Sequence, residues 1–88
     1  MQDPTRKKEL SLALGRVVHK LREDANLSAR AVAYGMNMSK TTLLLTEQGK
    51  LDPQLSTFCK LAEAFYKKPD ELLRLVINDL PEKWFQNE

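Results

Sequence analysis

The stretch from Leu27 to Pro53, LSARAVAYGMNMSKTTLLLTEQGKLDP, constrains the fold of this 88-residue chain more than any other. Ser28 and Ser39 are both good N-caps, because a serine hydroxyl accepts a bond from an unpaired amide of the first helical turn. Asn37 falls between them, and asparagine tolerates the positive φ of a tight interhelix turn. Gly49 suits the left-handed residue that ends a helix. Asp52-Pro53 then signals a turn before the next helix. The layout is two short helices, about Ala29–Tyr34 and Lys40–Gln48, joined by a tight turn.

The flanking segments are helical as well. Leu10, Leu14, Val18, Leu21 and Ala25 recur at steps of three and four, which makes one apolar stripe on a helix from about Glu9 to Asp24. Asn26 offers its left-handed end. A helix over about Leu55–Tyr66 presents Leu55, Phe58, Leu61, Ala62 and Phe65 inward. Pro69 starts a fifth helix, with Asp70 and Glu71 at the favourable end of its dipole. Leu72, Leu73, Leu75, Val76, Ile77 and Leu80 give that helix more apolar surface than one stripe needs. No segment reads as a strand. The expectation is an all-α, compact five-helix domain over residues 9–80, with a flexible basic arm at 1–8 and a C-terminal extension, tail or short helix, at 81–88.

Composition removes several classes of function. Cys59 is the single cysteine and His19 the single histidine, so no intrachain disulfide and no Cys/His metal cluster is expected. Cys59 lies in an apolar helical pattern and reads as a packed thiol; His19 reads as a solvated helix residue. No nucleophile–base set and no phosphate-cradling glycine loop is present, so neither an enzyme nor a cofactor is expected. No apolar run approaches the roughly 20 residues of a membrane span. No signal-peptide pattern follows Met1, so the expected location is cytoplasmic, with no membrane partner. The net charge of +2 is uneven: residues 1–50 hold nine Lys/Arg against five Asp/Glu, and residues 51–88 hold five against seven. The basic half is the half with the two short helices, which suits a nucleic-acid surface.

Two short helices with a tight turn form a helix-turn-helix, whose second helix enters a DNA major groove. The chain resembles the phage-repressor-like (Cro/repressor, XRE) helix-turn-helix family over about residues 14–73. The likeness rests on Leu14-Gly15-Arg16, Leu21-Arg22, Leu27-Ser28, Ala33, Met38-Ser39, Leu43, Glu47-x-Gly49-Lys50 and Pro53-x-Leu55. It continues through Lys60-Leu61-Ala62-x-Ala64-Phe65 and Asp70-Glu71-Leu72-Leu73. The resemblance implies a lambda-repressor-like domain that binds an operator in double-stranded DNA as a homodimer and regulates transcription. It also implies an ion pair between Arg22 and Glu47 that positions the third helix.

On that third helix, Lys40, Thr41, Leu44 and Leu45 are the expected base readers, the leucines through thymine methyls. Ser28, Ser39, Thr42, Gln48 and Lys50 are expected at phosphates. An alternative makes Leu44 and Leu45 an exposed patch that binds a protein, such as a toxin or an antirepressor, or a second copy. A third arrangement rotates the helix and places one leucine in the core. Leu75, Ile77, Leu80, Trp84 and Phe85 are candidates for a dimer seam, although Trp84 and Phe85 could instead fold back over the chain's own helices.

Overall fold

The computed structural model describes residues 4–85. Its elements are α1 (Pro4–Asp24), α2 (Ala29–Gly35), α3 (Lys40–Glu47), α4 (Leu55–Ala64) and α5 (Pro69–Asp79), followed by a 3-10 turn at Glu82–Phe85. Among the described residues there is no strand, as the apolar periodicity requires. None of these helices is long and apolar enough to cross a membrane.

The first four helices stop in the same way. Asn26, Asn37, Gly49 and Tyr66 have positive φ, of 61°, 55°, 76° and 59°. After each, the chain bonds back onto the last turn: Leu27 N–H donates to Arg22, Met38 to Ala33, Lys50 to Leu45 and Lys67 to Ala62. This reversal satisfies carbonyls that a helix end would otherwise leave open. Tyr66 is the unexpected member, since an aromatic side chain rarely adopts this conformation. It ends α4 two residues before the expected boundary. At the start of α5, Glu71 Oε1 accepts a bond of 2.7 Å from the Lys68 amide, so its carboxylate caps the helix that Pro69 opens.

The core lies where α1 meets α3 and α5. Val18, Leu43, Leu61, Leu72 and Val76 are buried to within 1% of full enclosure. Small residues bring the backbones together: Ala13, Ala33 and Ala62 are also buried. Gly15 is the tightest case. A Cβ there would meet the carbonyl oxygen of Glu47 and lie 2.6 Å from that of Thr46, so α1 passes directly over the C-terminal turn of α3. Seven residues further along α1, Arg22 ties the same two elements: its Nε donates to Glu47 Oε2 at 2.6 Å and its Nη2 to Oε1 at 3.0 Å. Arg22 Nη1 also donates to the Leu27 carbonyl at 3.0 Å, which fixes the chain as it enters α2. On the other side, Arg16 bonds Asp79 and joins α1 to the end of α5.

Two expectations change. The basic arm is helical from Pro4 onward, because the C-terminal turn packs against it. Trp84 Nε1 donates to the Arg6 carbonyl at 2.9 Å, and the Arg6 guanidinium stands 4.5 Å from the indole centre. Residues 1–3 of the expected arm and 86–88 of the extension lie outside the described residues. Leu55, expected inward, is 78% exposed at the first position of α4. The inner face of that helix starts at Phe58 and is carried by Leu61 and Ala62.

Gly15→Ala should lower stability by about 1–3 kcal/mol, because the backbone carbonyls it would strike cannot rotate away as a side chain could. That cost exceeds the roughly 1 kcal/mol that alanine gains over glycine in a helix. An unchanged or raised Tm would show that α1 and α3 do not approach this closely. Glu47→Ala should cost an amount near the low end of the roughly 3–5 kcal/mol typical of a broken buried pair, since Arg22 keeps its Leu27 bond. Denaturant unfolding measures both.

Candidate nucleic-acid interface

The recognition segment is held from within by its own short-range bonds. Ser39 has extended backbone, and its Oγ accepts from the Thr42 amide at 3.0 Å while donating to Thr42 Oγ1 at 2.8 Å. Ser28 Oγ accepts from the Ala31 amide at 3.0 Å and caps α2 in the same manner. Thr46 is buried, and its hydroxyl donates to the Thr42 carbonyl at 2.9 Å, so a polar side chain on the inner face carries no unmet bond. Leu43 fills the space beside it. The helix therefore has one inner face, and its other side faces outward.

That outer side carries Ser39, Lys40, Thr41 and Gln48, all exposed, with Lys50 exposed just beyond the Gly49 turn. Thr42 is half-buried and its hydroxyl is engaged with Ser39. The cap also engages the Ser39 hydroxyl, so a phosphate would meet this corner through neighbouring groups first. The two leucines depart from expectation. Leu44 and Leu45 are both half-buried, and Leu44 packs against the core. Neither is among the exposed large apolar side chains. α1 and α2 both pack against this short helix. Leu45 keeps part of its surface beside Thr41 and Gln48.

Two exposed residues of α2 were not singled out from the sequence. Arg30 is exposed on the first turn of α2. Tyr34 is 88% exposed and borders a shallow depression with Gly35, Asn37, Met38 and Ser39, beside the N-terminus of α3. The signal for Tyr34 was available, since the apolar face of α2 needs only Ala29, Val32 and Ala33.

Behind α3 lies a charged cluster. The Glu47 side chain is 5% exposed. Burial pushes its carboxyl up, but the hydrogen bonds from Arg22 and His19 outweigh that and hold it below the ordinary value. The Glu47 bond likewise raises the Arg22 guanidinium. His19, expected to be solvated, faces Glu47 Oε1 with Nδ1 at 2.9 Å and Glu23 Oε2 with Nε2 at 3.0 Å. The Glu47 bond raises the His19 pKa above its ordinary value, against burial and the Arg22 charge, with Glu23 adding to the rise.

Elsewhere, the dimer candidates divide. Leu75, Ile77 and Phe85 are exposed, whereas Leu80 is buried and Trp84 is half-buried against Arg6. Cys59 is half-buried and unpaired. Among the described residues no three His, Cys, Asp or Glu side chains are gathered so as to hold a metal ion.

Residues 13–75 match the family model of the helix-turn-helix domain. No curated protein matches the sequence. Among solved structures, the fold is similar to that of the clp gene regulator ClgR from C. glutamicum, with a TM-score of 0.76 and 19% identity over 83% of this chain and 95% of that one. It is also similar to the restriction-modification controller protein C.AhdI from Aeromonas hydrophila, with a TM-score of 0.67 and 26% identity over 70% of this chain and 94% of that one. With α2 and α3 as its two named helices, the chain belongs to the helix-turn-helix domain family, and its fold is that of the DNA-binding regulators of the XRE-like type.

Proposed function

We propose that this protein is a cytoplasmic transcriptional regulator that binds an operator in double-stranded DNA through α3, as a two-fold dimer, and acts as a repressor. The observation that carries the reading is the two-sided character of α3. Leu43, Thr46 and Glu47 are locked inward while Lys40, Thr41 and Gln48 stand exposed on the outer side. A helix rigidly held along one side is what a major groove can accept without further ordering cost.

Lys40 and Thr41 are the base readers in this proposal, with Lys40 donating to guanine O6 or N7. Leu45 adds a thymine-methyl contact from its uncovered part. Gln48 and Lys50 take phosphates at one end of α3, and Ser28 and Arg30 at the start of α2. Ser39 and Thr42 shape the N-terminus of α3 and leave phosphate binding to the amides of Lys40 and Thr41. Leu75, Ile77 and Phe85 are the remaining seam candidates for a dimer that spans two half-sites about 34 Å apart. Regulation then comes from concentration, from dimerisation or from a toxin or antirepressor partner. The half-burial of Leu44 and Leu45 speaks against partner binding through that pair.

Selection of bound duplexes from a random pool at two salt concentrations tests the reading. The expected result is an enriched palindrome and an affinity that falls steeply with salt. No enrichment together with a flat salt dependence would overturn it. Lys40→Ala should weaken binding to the selected site by about 1–3 kcal/mol and relax base preference at one position per half-site. Uniform weakening on every sequence, with a shallower salt slope, would reassign Lys40 to a phosphate.

A further inference from the structure

We propose that His19 is a positioning residue for the DNA-reading helix: its imidazolium is the third arm of a clamp on Glu47, and deprotonation opens that arm. The clamp concerns how α3 is held against α1; its consequence for DNA rests on the function proposed above.

Each ring nitrogen has a carboxylate oxygen before it, and Arg22 Nη2 also stands 3.4 Å from Nδ1. Nδ1 faces Glu47 Oε1 at 2.9 Å, and Nε2 faces Glu23 Oε2 at 3.0 Å. A neutral imidazole has one N–H, so it would donate to one carboxylate and turn a lone pair toward the other. Only the imidazolium donates to both. The two arms differ in weight. Glu23 is on the same helix as His19 and is 62% exposed, so that contact holds the ring in place and little more. Glu47 comes from α3 and is nearly enclosed. With Arg22 on both carboxylate oxygens and His19 on Oε1, the carboxylate is gripped from two turns of α1. The His19 side chain is itself 46% exposed, so its proton exchanges with solvent while the helices stay packed.

The charged groups acting on the ring are Glu47 from α3, and Glu23 and Arg22 from its own helix. The carboxylates favour the imidazolium and Arg22 opposes it. Because His19 titrates higher in the fold than its ordinary 6.5, its contribution is complete below that value and is lost as pH rises through the raised one. Glu47 behaves oppositely: held below its ordinary 4.5, it contributes above that value and the contribution is lost as pH falls through the lowered one. The grip on α3 is therefore firmest in a window bounded by the glutamate on the acid side and the histidine on the alkaline side.

Thermal unfolding of the full chain and of His19→Gln from pH 5.5 to 9 tests this. Glutamine keeps a polar side chain of similar reach but carries no charge. The expected result is a wild-type advantage that is largest near pH 6 and shrinks toward pH 9. His19 is the chain's single histidine, so one imidazole resonance in an NMR titration reports it directly. It should titrate above 6.5 in the wild type and lower in Glu23→Gln, and α3 amide shifts should follow the same curve. A wild-type advantage constant with pH, or an imidazole titrating at or below 6.5, would overturn the proposal. With a selected duplex, the affinity ratio of wild type to His19→Gln should fall from about two- to fivefold near pH 6 to near unity at pH 9. If no duplex binds at any pH, the proposed function fails, and unfolding and NMR still decide the clamp.

Discussion

The rest of the structure depends on one desolvated carboxylate. Glu47 sits at the C-terminal turn of α3 with 5% of its side chain exposed, where an unpaired charge would be costly. Arg22 supplies two donors in one plane, and that bidentate pair ties α3 to α1 with defined geometry. The same guanidinium bonds the Leu27 carbonyl, so the start of α2 is set by the residue that sets α3. Gly15 allows the backbones to close on that arrangement. A helix of eight residues has little stability of its own, and α3 exists as a helix because its neighbours hold it.

Short connections do the remaining work. Each of the first four helices ends on a left-handed residue and a bond back across its last turn, so the chain reverses without leaving carbonyls unmet. Ser28 and Ser39 do the equivalent at helix starts. These caps help set the outer side of α3 away from α1. The outer side of α3 is polar at Lys40, Thr41 and Gln48, and apolar only in part at Leu45.

Much of this was legible in the sequence, for local reasons. Asn26, Asn37 and Gly49 are residue types suited to positive φ, and all three adopt it. Ser28 and Ser39 cap as serines before helices do. Leu14, Val18 and Leu43 are buried where a period of 3.6 places them and Leu10 and Leu21 are half-buried, but Ala25, expected on the same stripe, lies past the end of α1 and is exposed. Other features were not legible because they belong to no single helix. Leu44 and Leu45 face outward on an isolated α3, but α1 and α2 flank it and half-bury both. Leu55 fits the apolar spacing of α4, yet it stands beyond the edge of what α4 packs against. Tyr66 gave no sign of a left-handed end, since no tyrosine preference predicts one. Trp84 could have packed on its own chain or on a copy, and the distant Arg6 takes its indole N–H.

By itself, then, the sequence determined five helices, the caps at Asn26, Ser28, Asn37, Ser39 and Gly49, and the helix-turn-helix family, because propensity, capping and periodicity act within a few residues. The tertiary structure alone decided how α3 is rotated, which of its side chains remain outside, and that His19 meets a glutamate 28 positions away. Those outcomes come from desolvation and packing between helices, and such forces exist only once distant segments are brought together.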